Sequence, residues 1–256
     1  MLALRSLSRY RAASYHLAIS AGVGALVLLL MLALWYPPPL FTAMGGQELM
    51  LLIVGVDVVM GPLITLIIFN PKKKELPFDL SIVATLQLAA LGYGMYAMHT
   101  ARPVFTVFAA DRFFIVAATE IDPADLARGR SEEFRRLSQT GPRLVATQAP
   151  ESQEERNDIA FGALGGMGIQ NLPKYFVPYA QKQEEVLRSS RPVADLQLEQ
   201  DDSAILARYL KKSGLKAEAL RCLPVKARRS LMTALIAPDS GELLEILPIR
   251  PDLRSD

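Results

Sequence analysis

The chain has 256 residues, 51% hydrophobic and 21% charged, with a formal net charge of +2 and a mean hydropathy of +0.22. That average is too apolar for an ordinary soluble protein and divides into unlike halves: residues 1–100 hold six of the 28 Lys and Arg and four of the 26 acids, and the remainder is balanced in sign. A balanced tail carries no electrostatic footprint for nucleic acid. Its regular apolar runs argue against disorder. A single cysteine, Cys222, excludes an intramolecular disulfide framework or a Cys-based zinc site, and His16 and His99 alone leave almost no histidine metal chemistry.

Three stretches have the length to cross a hydrocarbon core, which takes about 20 residues: Leu17–Trp35, Leu49–Phe69 and Leu80–Met98. The first follows Arg5, Arg9 and Arg11 and ends in Trp35-Tyr36 and Pro37-Pro38-Pro39, read as interfacial aromatics and a helix stop. A cleaved signal peptide is the rival reading, but the apolar run is long and no small-x-small site closes it. Positive charge in the short loops lies in the N-terminal segment and in Lys72-Lys73-Lys74, while Tyr36–Glu48 has none. The positive-inside rule therefore predicts a cytoplasmic N-terminus and a tail delivered to the opposite side, the periplasm of a two-membrane bacterium. Cys222 is expected to be buried there.

Asp57 is the one acid inside a span, within Val54-Gly55-Val56-Asp57-Val58-Val59-Met60-Gly61-Pro62. An ionisable group in the membrane needs a partner or a function. Tyr93 lies at a matching depth on the third span, roughly 20 Å from its start, so a Tyr93–Asp57 hydrogen bond is expected; the functional alternative is that Asp57 receives a polar group of a partner's helix. Gly61-Pro62 frees backbone groups nearby and offers a kink or docking notch. Small residues four apart, Ser20 and Gly24, Ala21 and Ala25, Ala90 and Gly94, allow close helix approach.

In the tail, Pro103–Phe108 and Phe113–Ala118 around Ala110-Asp111-Arg112 predict a β-hairpin. Asp122-Pro123 opens a helical turn, Ser131–Phe134 another, and Arg143–Thr147 reads as a strand. Helices are predicted over Glu151–Phe161, Pro178–Ser189 and Asp201–Lys212, the last closed by Gly214. The Gly162–Gly168 stretch lacks the Lys-Ser/Thr and preceding strand of a phosphate cradle and reads as a mobile loop. Strands over Ala219–Val225, Leu231–Ala237 and Glu242–Leu247, with the turn Pro238-Asp239-Ser240-Gly241, complete the pattern. Strands at both ends with helices between predict an α+β domain whose terminal strands share one antiparallel sheet.

No catalytic constellation emerges. The tail has no histidine, no Gly-x-Ser-x-Gly elbow and no nucleotide fingerprint, and its adjacent acid pairs fit solvated helix faces.

Trp35-Tyr36-Pro37-Pro38-Pro39, Ala43-Met44-Gly45-Gly46, the Asp57 span through Gly61-Pro62-Leu63, and Ala101-Arg102-Pro103-Val104 leading to Asp111-Arg112-Phe113 together resemble the TfpX/TfpZ family of type IV pilin accessory proteins. The resemblance is dense from Trp35 to Asp122 and weaker through the helical middle. It implies an inner-membrane, chaperone-like accessory protein that supports type IV pilin, major or minor, or pilus assembly, without cofactor or known catalytic residues and with contacts to assembly machinery. A membrane-anchored periplasmic enzyme modifying pilin or envelope glycan is the runner-up. The layout expected is a cytoplasmic segment 1–16, a three-helix transmembrane region 17–100 and a periplasmic α+β domain 101–256, with Asp57, Gly61, Pro62 and Tyr93 as the polar contact residues and Trp35, Tyr36, Pro37, Pro38, Arg102, Pro103, Asp111 and Arg112 as the motif residues.

Overall fold

A computed structural model describes residues 7–251. It divides into two compact units, one formed by the chain up to Ala33 with Gly45–Thr100, the other by Leu34–Met44 with the chain from Ala101 onward.

The first unit holds α1 (Arg9–Leu34), α3 (Gly46–Gly55), a π-helical turn (Val56–Met60), α4 (Gly61–Ile68) and α5 (Leu76–Thr100). These make three helices long and apolar enough to cross a membrane, since α3, the π turn and α4 run on as one rod. Their outward faces are apolar, with Leu29, Leu51, Leu52, Ile67, Leu86 and Leu88 exposed, as expected where lipid replaces water. Inside, small residues set the spacing: Gly24 faces Val54, and a Cβ at Gly94 would overlap Ile53. Ile53, Asp57, Gly61, Thr65 and Phe69, four residues apart, are all buried. A four-residue row drifts around an α-helix of 3.6 residues per turn, and the wider π turn offsets that drift.

The second unit also takes in α2 (Leu40–Ala43). Its sheet runs β4-β3-β1-β2-β6-β7-β8, with β5 on the side of β6; the strands are β1 (Pro103–Ala109), β2 (Arg112–Ala117), β3 (Arg143–Thr147), β4 (Phe176–Pro178), β5 (Arg191–Pro192), β6 (Arg221–Lys226), β7 (Leu231–Ile236) and β8 (Leu243–Leu247). The β1–β2 and β7–β8 hairpins stand where the sequence puts them, antiparallel. The sheet as a whole is mixed, which corrects the antiparallel expectation: β3 lies parallel to β1, and β6 parallel to β2. β1 and β3 are separated by residues 110–142, which include β2, and β2 and β6 by residues 118–220, which include β3, β4 and β5; such lengths admit either strand sense.

Every residue of β1 is buried. Phe105 packs edge-on against Phe176 at 5.1 Å, and Phe134 meets the same ring at 6.1 Å. A second core forms where α9 (Gln200–Ser213) lays Leu206 with Ile205, Tyr209 and Leu210 on Cys222, Leu235 and Leu247. Gly214 ends α9 at φ 71°, its N–H donating to the Leu210 carbonyl at 2.9 Å. Asp122 caps α6 (Pro123–Ala127), accepting from Ala124 N at 2.7 Å, and the helices after it differ from their expected bounds. α7 spans Gln153–Leu164 and so runs into the glycine-rich stretch, while α8 covers only Gln183–Ser189 because Phe176–Pro178 is drawn into the sheet as β4.

Candidate functional site

Asp57 is 8% exposed and lies in the π turn. The turn has a local cause. Pro62 brings no N–H to the helix, and in a π turn the Asp57 carbonyl would look to the N–H of residue 62. The Gln87 amide takes that place, its Nε2 donating to the Asp57 carbonyl at 3.1 Å. With Nε2 so engaged, Gln87 Oε1 accepts from His16 Nε2 at 2.8 Å, and His16 Nδ1 is hydrogen-bonded with the Thr65 hydroxyl at 2.6 Å. The Asp57 carboxyl stands at the end of the chain: its Oδ1 is buried with no hydrogen-bond partner among the described residues. A buried polar oxygen left in this way costs free energy. Asp57 lies on the wall of a cavity of about 200 Å³ that His16, Ile19, Val23, Gln87 and Leu88 line between α1 and α5.

Of the expected contact residues, the structure brings together Asp57 and Gly61. Pro62 is buried in the same segment. Tyr93 does not join them. It is 74% exposed and makes no hydrogen bond to Asp57, which corrects that expectation: its depth matches, but it sits six residues beyond Gln87, roughly 120° around a helix that turns about 100° per residue. His16, Thr65 and Gln87 are the partners that depth alone did not find. The signal for Thr65 was its place in the row Asp57, Gly61, Thr65.

The motif residues separate into two places on the second unit. At the root of the β1–β2 hairpin, Tyr36 is 1% exposed, so it is a core residue of this unit rather than an interfacial aromatic. The segment is drawn in by backbone bonds from Gly141 N to the Leu34 carbonyl (2.7 Å) and from Arg229 N to the Ala43 carbonyl (2.9 Å). Trp35 is partly buried beside it, the Pro37 ring lies against Gly141 at the distance where a Cβ would make ordinary contact with it, and the Pro38–Pro39 peptide is cis. Burial pushes the Tyr36 phenol up to about 12, against the pull of Arg228 and Arg102. Arg102 is itself buried and donates from Nε to the Ser138 carbonyl at 2.9 Å; burial lowers its pKa and the neighbouring Tyr36 opposes that. Pro103 then begins β1.

At the hairpin's far end, roughly 20 Å away along seven residues of strand, Arg112 pairs with Asp111 at 2.8 Å. The hydrogen bond from Arg112 holds the Asp111 carboxyl below its ordinary value. Both line a cavity of about 250 Å³ with Arg191 and Cys222. Cys222 is buried, and burial pushes its thiol up to about 11, so at neutral pH it is not a nucleophile. No group of three or more His, Cys, Asp or Glu able to hold a metal occurs among the described residues.

Fold and site together define a chain of three helices long and apolar enough to cross a membrane, joined to a mixed-sheet domain. The family model described as fimbrial assembly protein FimB matches residues 4–45, the stretch comprising α1 and the segment built around Tyr36. The chain is 34% identical over 220 residues to the fimbrial assembly protein, serogroup I, of Dichelobacter nodosus, covering 84% of this chain and 85% of that protein. It is 33% identical over 222 residues to the serogroup E1 protein of that organism, with the same coverage of 84% and 85%. To the protein of serogroups C1 and C2 it is 43% identical over 108 residues, 41% of this chain and 82% of that one. No solved structure matches significantly. The chain belongs to the fimbrial assembly protein family.

Proposed function

We propose that this protein serves type IV pilus biogenesis as a chaperone-like accessory protein of the inner membrane, of the TfpX/TfpZ kind, binding a pilin before its assembly. In this reading the N-terminus and the lysine loop are cytoplasmic and the sheet domain is periplasmic, as the loop charges indicate. A pilin awaiting assembly is an apolar helix in the membrane bearing a globular head. Three apolar helices and a compact domain on one chain offer a contact to each part, and covalent linkage turns two weak contacts into a stronger one. The role is binding rather than catalysis.

The observation that carries the reading is Asp57, nine-tenths buried, with an unpartnered carboxyl oxygen, on the wall of a lateral cavity among apolar helices. An intramembrane carboxyl held at that cost is a functional site by default. The test is an affinity purification of the tagged full-length protein from detergent-solubilised membranes, with pilin probed in the eluate and Asp57→Ala run in parallel. Pilin should co-purify with the wild type and be lost from the variant while the variant still accumulates. Pilin equally abundant with both, or absent from both, overturns the assignment.

A further inference from the structure

A second concavity lies on the first unit, between α4 and α5, and it differs from the Asp57 cavity in size, composition and reach. It encloses about 870 Å³, and its walls are apolar along their length, from Ile68 and Ile64 on α4 and from Ile82 and Leu86 on α5. Its two ends differ. One is formed by the Lys73–Asp79 ion pair and the other by Val56 and Ala90. From Ile68 to Val56, or from Asp79 to Ala90, is roughly 17–18 Å at 1.5 Å per residue. That is about half of a hydrocarbon core some 30 Å thick. The groove is therefore about one leaflet deep, the length of a lipid acyl chain.

The polar end carries the matching charge. Lys72 and Lys74 are exposed beside Lys73. Ala12 of α1 packs with Phe69 and Leu76, so Arg9 and Arg11 belong to the same end of the bundle. Five cations gather there against Glu75 and Asp79. Basic clusters at the membrane surface next to a span attract anionic lipid, and here the cluster stands at the mouth of a slot of acyl-chain depth.

We infer that the α4–α5 groove is a binding site for one anionic phospholipid, its phosphate-bearing headgroup held at Lys72–Lys74 and one acyl chain laid along Ile68, Ile64, Leu86 and Ala90. The lipid is bound from the leaflet on the lysine side. Gly61 opens on this groove and Gln87 stands between it and the Asp57 cavity, so an occupied groove buttresses the Gln87 amide that holds the π turn.

The test uses the full-length protein purified in mild detergent, with its co-purifying phospholipid quantified by mass spectrometry and its melting followed with added palmitoyl-oleoyl phosphatidylglycerol or the matching phosphatidylcholine. The wild type should retain about one phosphatidylglycerol per chain and be stabilised by it in preference to phosphatidylcholine. Lys72→Gln/Lys74→Gln should weaken that preference by roughly thirty-fold, about fivefold for each lysine. Ala90→Phe, which fills the slot from an outward-facing position, should release the lipid; Leu86→Trp is the alternative should Ala90→Phe fail to accumulate. Equal retention of the two lipids by the wild type, a preference unchanged by the lysine substitutions, or retention unchanged by filling the slot each overturns the inference. Loss of a co-purifying protein from Ala90→Phe with its lipid intact also overturns it, and assigns the groove to a protein helix.

Discussion

The Gln87 amide donates to the backbone carbonyl of Asp57 at 3.1 Å, and it does so directly over Gly61, where any Cβ would overlap it. The bond exists because one residue of α4 has no side chain and the next, Pro62, has no N–H. Gly61→Ala should therefore displace Gln87, release the Asp57 carbonyl and detach His16. We expect a loss of about 1–3 kcal/mol, read as a lower midpoint of helix loss in a denaturing-detergent titration. Gly55, on the same rod, has open space within 4 Å of where a Cβ would stand, so Gly55→Ala should be neutral or slightly stabilising.

The second unit depends on chain that precedes two of the apolar helices. Tyr36, Leu40 and Met44 are buried in it. Tyr36→Ala should cost about 3–5 kcal/mol, and a fragment beginning at Ala101 should unfold at markedly lower denaturant than the whole protein. Equal midpoints would contradict the placement of residues 34–44 in this unit.

Alkaline pH should destabilise the same unit. Burial raises the Cys222 thiol from 9.0 to about 11, so between those values the unfolded chain has released a proton that the folded one keeps. Stability is full below pH 9 and falls by about 1.4 kcal/mol per pH unit as pH rises toward 11. Tyr36 adds a similar decline from pH 10 to about 12. Denaturant unfolding at pH 8, 9 and 10 should show this decline, and Cys222→Ala should remove the part between pH 9 and 10. At pH 8 iodoacetamide should modify Cys222 only in denaturant.

The turn between β7 and β8 is held from the side. Tyr179 donates to the Gly241 carbonyl at 2.6 Å, and Gly241, at φ 72°, lies so near the Gln183 carbonyl that a Cβ would overlap that backbone oxygen. Tyr179→Phe should cost about 1–2 kcal/mol. Gly241→Ala should cost more, because neither the positive φ nor the backbone neighbour can yield. Thermal unfolding of the two variants ranks them.

What the sequence made legible follows from what is local. Apolar runs of span length and β-branched runs around Asp111-Arg112 or Ser240-Gly241 declare themselves, because length and alternation are properties of the run. The sense of β3 and β6 was not legible, since a long connection returns a strand either way up. Tyr93 was matched to Asp57 by depth, whereas azimuth selected Gln87. Tyr36 looked like an interfacial anchor because its neighbours in sequence are Trp35 and three prolines; its neighbours in space, Arg102 and Arg228, are far along the chain. The four-residue row through Asp57, Gly61 and Thr65 was readable, but the π turn that keeps it facing inward was not.

If the role is binding, pilin leaves the protein chemically unaltered. Intact mass spectrometry of pilin from wild-type and deletion strains should give identical masses, and a reproducible difference would return the case to a pilin-modifying enzyme.

The most direct test of the central claim is photo-cross-linking in intact cells from two positions on α5 that differ only in the groove they face. Leu88, 68% exposed, lines the Asp57 cavity, and Leu86, 66% exposed, lines the lipid groove. A photoreactive residue at position 88 should give a covalent adduct with pilin, and one at position 86 should not. An adduct from 86 alone, or none from either in a protein that accumulates normally, would contradict the account.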